Sequence, residues 1–177
     1  LEFYPKVFQY MAKIASELDY ELVMVTNQDG LGTNSFPEDT FWPAQNKVIS
    51  AFENEGVIFT EVCIDKTFPH EKAETRKPRT GLLKKYFSEE YDLENSFVLG
   101  DRITDMELAK NLGSKGIFLS EDAQLGVDEI ETSKQEILNC IALTSTDWSK
   151  IYEFLKLEDR ISEIPRNTNE TKIYIKL

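Results

Sequence analysis

Three short segments of this sequence combine residue types that could bind a phosphate group. The first follows an apolar run and offers the Thr26 hydroxyl, the amide side chains of Asn27 and Gln28, and two nearby glycines. Glycines let the backbone approach a ligand closely, and successive backbone N–H groups can bind an anion. An ordinary glycine-rich turn between a strand and a helix is the alternative for this segment taken alone.

The second segment is Arg76-Lys77-Pro78. The residue before a proline is held in extended geometry, so we expect Lys77 at the edge of the next element. There its ammonium group could neutralise a phosphate as a compact point charge. A solvated surface lysine is the alternative when this segment is considered alone.

The third segment places two carboxylates, Asp101 and Asp105, four residues apart after Gly100. Oxygen ligands at the junction of a buried strand and a helix suit Mg²⁺, which binds one or two protein carboxylates together with waters and substrate phosphate. Acidic residues are also common in a first helical turn, because they complement the helix dipole and cap free N–H groups. Taken alone, the pair fits either role.

The rest of the chain predicts an α/β fold with a doubly wound, mainly parallel sheet. Continuous apolar runs predict strands covered on both faces; these are 22–25, 57–64, 96–99 and 116–119. Helical spacing of apolar residues predicts helices around 5–18, 38–55, 78–86, 104–112 and 147–157. Ligands of open α/β sheets bind beyond the carboxyl ends of the strands, so the three segments should meet at one edge. The pattern at 121–145 is mixed, and 160–170 is polar like a linker.

Composition narrows the class of protein. The 177 residues fit one ordinary domain, and they contain no apolar run long enough to span a membrane and no secretory signal. Twenty basic against 32 acidic side chains leave a net charge of −12, which argues against a nucleic-acid binder. Two cysteines are too few for a disulfide framework, and so low a number fits the reducing cytoplasm. With one histidine they are also too few for a zinc site of His/Cys type.

In chain order, the threonine, the lysine and the acidic pair resemble the second, third and fourth motifs of the haloacid dehalogenase superfamily of phosphatases. The local sequence resembles the histidinol-phosphate phosphatases that are fused to imidazoleglycerol-phosphate dehydratase in bifunctional histidine-biosynthesis enzymes. This closer resemblance is carried by 25–33, 35–37, 76–78 and 100–105, and 165–173 is similar to the opening of the dehydratase. We therefore expect a phosphatase domain at 1–158, then a linker and the start of a dehydratase-like domain at 159–177.

The resemblance implies a cytoplasmic, Mg²⁺-dependent hydrolase that converts histidinol phosphate to histidinol and phosphate. It implies that Thr26 and Asn27 hold the phosphoryl group while Lys77 stabilises its charge. It implies that Asp101 binds Mg²⁺, with Asp105 in support through water or the lysine. The implied additional substrate contacts are Gln28, Asp29 and Arg76. The expected partner is a small phosphate ester, and neither nucleic acid nor a membrane is expected. The resemblance also allows an oligomer formed through the following dehydratase domain.

The sequence departs from the superfamily at its first motif. Asp-x-Asp-Gly-Thr, which carries the nucleophilic aspartate and the general acid/base aspartate, is absent from these 177 residues. The family fold places its strand in the middle of the sheet, between the strands that end at Thr26 and Gly100. We therefore expect that first strand to be missing here, and those two strands not to pair with each other. The aspartyl-phosphate would form on an N-terminal aspartate outside this chain.

A second departure concerns zinc, which many bacterial relatives bind in the loop before the lysine through a Cys-x-His and Cys-x-Cys pattern. The matching positions hold Asp65, Thr67, Ala73 and Thr75. We therefore expect no zinc, and a loop from Asp65 to Thr75 that is either held by hydrogen bonds and packing or mobile.

Three other functions share features with this sequence. The nearest is a related phosphatase that acts on a sugar bisphosphate or a polynucleotide 3′-phosphate, which the net charge and the dehydratase-like tail disfavour. Another is a non-catalytic platform domain for the dehydratase, supported only by the missing first motif. A phosphoacceptor receiver domain is discarded, because its acidic cluster precedes its threonine and lysine in the chain.

Overall fold

The computed structural model describes residues 2–120 and 127–163. Helices and parallel strands alternate along it, as the sequence predicts. The helices are α1 (Val7–Glu17), α2 (Glu38–Asn54), α3 (Ile103–Leu112), α4 (Lys134–Asn139) and α5 (Trp148–Glu163). The strands are β1 (Val23–Asn27), β2 (Glu61–Asp65), β3 (Phe97–Gly100), β4 (Lys115–Phe118) and β5 (Ile141–Thr144). Short 3₁₀ helices cover Pro69–Glu71, Gly81–Phe87 and Val127–Glu129.

The strands form two parallel sheets. β1 pairs with β2, so that Thr26 lies opposite Ile64, while β3, β4 and β5 pair in that order. Within the described residues no ladder joins β1 to β3. The prediction that these two strands do not pair directly is therefore confirmed.

A cavity of about 610 Å³, which we call the slot, separates β1 from β3. Its lining is largely apolar and includes Val23, Val25, Val98, Leu99, Leu108 and Leu112. Lys77 and Asp105 also line it. Neighbouring strands lie about 4.8 Å apart. The slot lies between β1 and β3, where one additional parallel strand could pair with both, and its apolar lining suits such a buried strand.

Apolar side chains cover both faces of the sheets, which makes the fold doubly wound. One cluster joins α1, α2 and α5 to β4 through Ile14, Phe52, Ile151 and Ile117. On the opposite face, α3 packs against β2, the Gly81–Phe87 helix and α4. Each fully buried side chain of this kind contributes roughly 1.5–3 kcal/mol. The predicted α/β class with a mainly parallel sheet is confirmed.

Element boundaries differ from the sequence predictions where long-range pairing decides them. β1 extends to Asn27, because Thr26 and Asn27 pair with the end of β2 instead of starting a loop. The strand predicted at 57–64 begins later and ends one residue further on, as Glu61–Asp65, and the predicted helix at 78–86 is a 3₁₀ helix. The mixed segment 121–145 contains α4 and β5. Neither was predicted, since both are short.

The end of the chain lies partly outside the described residues. Helix α5 continues to Glu163, past the predicted domain boundary at residue 158. The predicted linker beyond it and the dehydratase-like start, at 164–177, are not among the described residues, so both stay predictions. None of the described helices is both long and apolar enough to cross a membrane.

Candidate active site

The carboxyl end of β1 is joined to Lys77 by a two-bond clamp. The Asn27 Oδ1 atom accepts a hydrogen bond from the Lys77 backbone N–H at 3.1 Å, and its Nδ2 atom donates to the Lys77 carbonyl at 3.1 Å. Beside it, Gln28 Nε2 donates to Thr26 Oγ1 at 2.8 Å. The clamp fixes the backbone from which the lysine side chain extends.

Lys77 and Asp105 form an ion pair at the carboxyl end of β3. Lys77 Nζ lies 2.8 Å from Asp105 Oδ1, and the two side chains are only 17% and 8% exposed. The other oxygen, Oδ2, accepts from the backbone N–H of Arg102 at 3.1 Å and so caps α3. Both oxygens of this carboxylate are engaged, which holds the ammonium group at a fixed position.

The close approach of β3 to α3 depends on Gly100. A Cβ atom at Gly100 would lie 2.3 Å from Asp105 Oδ2, closer than real contacts allow. Only glycine therefore lets the carboxylate sit against the end of the strand while it pairs with Lys77. The sequence predicts that a strand ends at Gly100, and the structure shows why this position requires a glycine.

Asp101 lies directly after β3 and is exposed. Tyr4, near the start of the described chain, donates its hydroxyl hydrogen to the Leu119 carbonyl at 3.1 Å. Burial, together with the negative charge of Asp101, raises the pKa of Tyr4. Tyr4 thus borders the site, and no sequence pattern predicts it, because its contact spans most of the chain.

The donor chemistry at this edge fits Mg²⁺ with a single protein carboxylate from these residues. Asp101 is exposed at the strand end, whereas both oxygens of Asp105 already accept hydrogen bonds. No group of three or more His, Cys, Asp or Glu side chains that could hold a metal occurs among residues 2–120 and 127–163. Mg²⁺ commonly takes one or two carboxylates and completes its shell with waters and phosphate, so this set is compatible with it.

Arg76, which directly precedes Lys77, is buried. Its Nη1 atom donates to Asp29 Oδ1 at 2.6 Å and to the Thr67 carbonyl at 2.9 Å. Its Nη2 atom donates to Glu129 Oε2 at 2.9 Å. Burial opposes the charge of Arg76, but hydrogen bonds to the two carboxylates outweigh it and raise the pKa of the guanidinium. Glu129, which lies within the mixed segment 121–145, was not among the predicted site residues.

The loop between β2 and Lys77 is held by a buried carboxylate. Asp65 Oδ1 accepts from the Thr67 backbone N–H at 2.9 Å and from its hydroxyl at 2.5 Å. Asp65 Oδ2 accepts from the Thr75 hydroxyl at 2.5 Å. Burial would raise the pKa of Asp65, but the hydrogen bonds from these two threonines outweigh burial and lower it. Three of the four positions that match zinc ligands are thus joined by hydrogen bonds.

The structure brings six predicted residues together at the carboxyl ends of β1 and β3. Asn27 and Asp105 both bind Lys77 directly, Thr26 precedes Asn27 on the strand, and Asp101 follows β3. Gln28 lies beside Thr26. The arrangement offers a hydroxyl, an oriented ammonium group and an exposed carboxylate at one edge, which is the chemistry that phosphoryl transfer uses.

Known proteins resemble this chain in sequence and in fold. It is 52% identical over its whole length to the "Histidine biosynthesis bifunctional protein HisB" of Spirosoma linguale and, likewise, to that of Bacteroides fragilis. The corresponding Buchnera aphidicola protein is 38% identical over 91% of the chain. The chain covers 47%, 46% and 39% of these relatives, so it spans about half their length or less. No family model matches the chain.

The fold is also that of a solved phosphatase structure. The crystal structure of D,D-heptose 1,7-bisphosphate phosphatase from B. bronchiseptica, complexed with magnesium and phosphate, matches with a TM-score of 0.65 and 20% identity. The match covers 87% of this chain and 83% of that one. The resemblance predicted from the motifs is confirmed: the chain is a homologue of part of the HisB bifunctional proteins and has the fold of the haloacid-dehalogenase-like phosphatases.

Proposed function

We propose that this chain is the phosphatase unit of a bifunctional histidine-biosynthesis protein and hydrolyses L-histidinol phosphate to L-histidinol and phosphate. The observation that carries the proposal is the Lys77–Asp105 pair, clamped by Asn27 at the strand ends beside Asp101. The 52% identity to HisB proteins supports the substrate, and the fold match supports phosphate chemistry.

The described residues act on the phosphoryl group through position and charge. The Lys77 ammonium, held by Asp105, neutralises the charge of the transferring group, and the Thr26 hydroxyl donates to one of its oxygens. Such preorganised charges need no rearrangement during the reaction, and they act strongly in a site with little water. Asn27 holds the lysine backbone, so its part in this scheme is positioning.

Mg²⁺ is the cofactor that we propose, with Asp101 as its ligand from these residues. The fold neighbour is complexed with magnesium and phosphate, which supports this assignment. When bound, the ion would neutralise phosphate charge and orient the phosphate oxygens. Asp105 is proposed to act through Lys77, in agreement with its two engaged oxygens.

The nucleophile is proposed to stand on a strand that fills the slot. β1 and β3 both line this cavity, and Lys77 and Asp105 line it as well. A parallel strand placed there would end beside the ion pair, where an aspartate could accept the phosphoryl group as an aspartyl-phosphate. The encoded sequence upstream of Leu1 tests this directly: an Asp-x-Asp-Gly-Thr motif supports it, and its absence favours a non-catalytic platform domain.

Variants of the protein at its full encoded length test the proposal. Asp101→Asn and Lys77→Ala should each lower the turnover of histidinol phosphate by about two or more orders of magnitude, since single electrostatic groups contribute this much. Lys85→Ala is the matched control, because this lysine is also ion-paired, with Glu61 at the opposite end of β2. Near-normal turnover in either site variant would contradict the assignment.

A further inference from the structure

Arg76 connects three segments around the candidate active site: the loop after β1, the loop after β2 and the 3₁₀ helix Val127–Glu129. Its two terminal nitrogens bind Asp29 in the loop after β1, the Thr67 carbonyl after β2, and Glu129. Nη2 also lies 3.5 Å from Asp29 Oδ2. These four contacts match the four hydrogens that the two terminal nitrogens can donate. Arg76 is only 5% exposed, so it holds the loops in place and has little capacity left to bind phosphate.

The groups that Arg76 holds are exposed on their outer side. The Asp29 side chain is 46% exposed and that of Glu129 is 24% exposed. Phe68 follows Thr67 and is 36% exposed. We call Asp29, Phe68 and Glu129 the rim. The two carboxylates have acceptor positions beyond those that Arg76 uses, because each carboxylate can accept about four hydrogen bonds.

Phe68 has a fixed place in the rim. A Cβ atom at Gly30 would lie 2.4 Å from its ring, so the ring lies directly on the glycine that follows Asp29. The ring also stacks on that of His70, with ring centroids 5.6 Å apart and an interplanar angle of 17°. Gly30 also donates a backbone hydrogen bond to the Lys66 carbonyl at 3.0 Å. The aromatic face and the carboxylate of Asp29 are therefore neighbours.

Glu129 is held at the rim by a buried anchor. Glu107 on α3 is fully buried, and both its carboxylate oxygens accept from the Glu131 backbone N–H at 3.0 Å. Its Oε1 atom also accepts from the Thr132 hydroxyl at 2.5 Å. This carboxylate fixes the segment that carries Glu129, so the rim is a built feature rather than a chance contact of exposed side chains.

The rim borders the phosphate-binding residues. Asp29 stands two residues after Asn27, and Arg76 precedes Lys77. Glu129 Oε1 lies 3.5 Å from Arg102, the neighbour of Asp101. The rim residues therefore stand next in the chain to, or contact a neighbour of, the residues proposed to bind the phosphate and the metal.

We propose that the rim binds the alcohol part of the substrate and selects phosphate monoesters whose alcohol carries a positive charge and a flat ring. Carboxylates attract a cation, and an aromatic face binds a cation or stacks on a ring. Arg76 is then a positioning residue, and Asp29 and Phe68 determine specificity. This inference rests on the proposed function, because it assigns the part of the site that recognises the histidinol moiety.

The test compares two substrates in the protein at its full encoded length. The measured quantity is kcat/KM for histidinol phosphate divided by kcat/KM for glycerol phosphate, whose alcohol is neutral and has no ring. Asp29→Asn should lower this ratio about tenfold, which corresponds to about 1.4 kcal/mol. Phe68→Leu should lower it several-fold, and the change should appear in KM.

Two matched variants control for general effects. Glu61→Gln removes a carboxylate that is also ion-paired but lies at the other end of β2, and Phe87→Leu changes a phenylalanine that is 51% exposed. Neither should alter the ratio. An unchanged ratio in both rim variants, or an equal fall in the controls, would overturn the proposal. A ratio that rises would show that the rim favours other alcohols, and would overturn it as well.

A binding measurement separates this inference from the proposed function. Calorimetry with L-histidinol alone requires no catalysis, and Asp29→Asn should weaken its binding about tenfold. Binding that is weakened in this way supports the rim even if no phosphate ester is hydrolysed, a result that would refute only the proposed function. Equal binding to the unmodified protein and to Asp29→Asn would refute the rim.

Discussion

Replacement of Asp65 by alanine should strongly destabilise the loop that precedes Lys77. The carboxylate is 3% exposed and accepts three hydrogen bonds, two from Thr67 and one from Thr75. Hydrogen bonds to charged groups contribute roughly 1.5–3 kcal/mol each. The threonine hydroxyls are only half-buried and can turn to water, so we expect a net loss of about 2–4 kcal/mol.

Urea denaturation at neutral pH measures this loss. A loss of about 3 kcal/mol lowers the midpoint by about 1.5 M if the slope is about 2 kcal/mol/M. Asp147→Ala is a matched control, because Asp147 accepts the same pair of bonds from the residue two positions ahead, from Ser149 N at 2.9 Å and Oγ at 2.6 Å. Asp147 is exposed, so its loss should be much smaller. Equal effects would refute the argument from burial.

The pH dependence gives a second check on Asp65. Its pKa is lowered in the folded protein, so its contribution is fully present above the unfolded-state value of about 3.9. It is lost as the pH falls through the lower, folded-state pKa. The difference in unfolding free energy between the unmodified protein and Asp65→Ala should therefore shrink below about pH 4. A difference that stayed constant down to pH 2 would show that the charge is not responsible.

Elemental analysis should find no stoichiometric zinc, and chelators should leave the fold intact, because the hydrogen bonds that Asp65 accepts from Thr67 and Thr75 join three of the four positions that match ligands. One tightly held zinc ion per chain would contradict this. Gly100→Ala should abolish most phosphatase turnover, since its Cβ would displace Asp105 from Lys77; an unimpaired enzyme would refute that packing argument. Burial raises the pKa of the Cys63 thiol to about 11, so it should resist a thiol reagent at pH 8 until the protein unfolds. Rapid labelling of the native protein would contradict this, because it would show that β2, which carries Cys63, opens to solvent.

Sequence patterns predicted the parts of the fold that local residues decide. The apolar runs before Thr26 and Gly100 are strands, and the chemistry-bearing residues follow them as the parallel topology requires. Contacts between distant residues could not be predicted in the same way. No local sequence pattern shows that Glu129 binds Arg76, or that Asp65 holds the loop before Lys77 through hydrogen bonds. The short β5 was missed because its four residues carry too little periodicity.

The slot has a consequence for the order in which the protein folds. Within the described residues no ladder joins the β1–β2 pair to the β3–β4–β5 sheet, and the two sheets meet through the side chains that pack α3 against β2. A strand that enters the slot would contact both units at once, and its pairings would close long stretches of chain, which slows folding. Insertion would then be a late, cooperative step that adds backbone pairing between the two sheets. A synthetic peptide that supplied the strand would turn this step into a bimolecular reaction, whose rate would rise with peptide concentration.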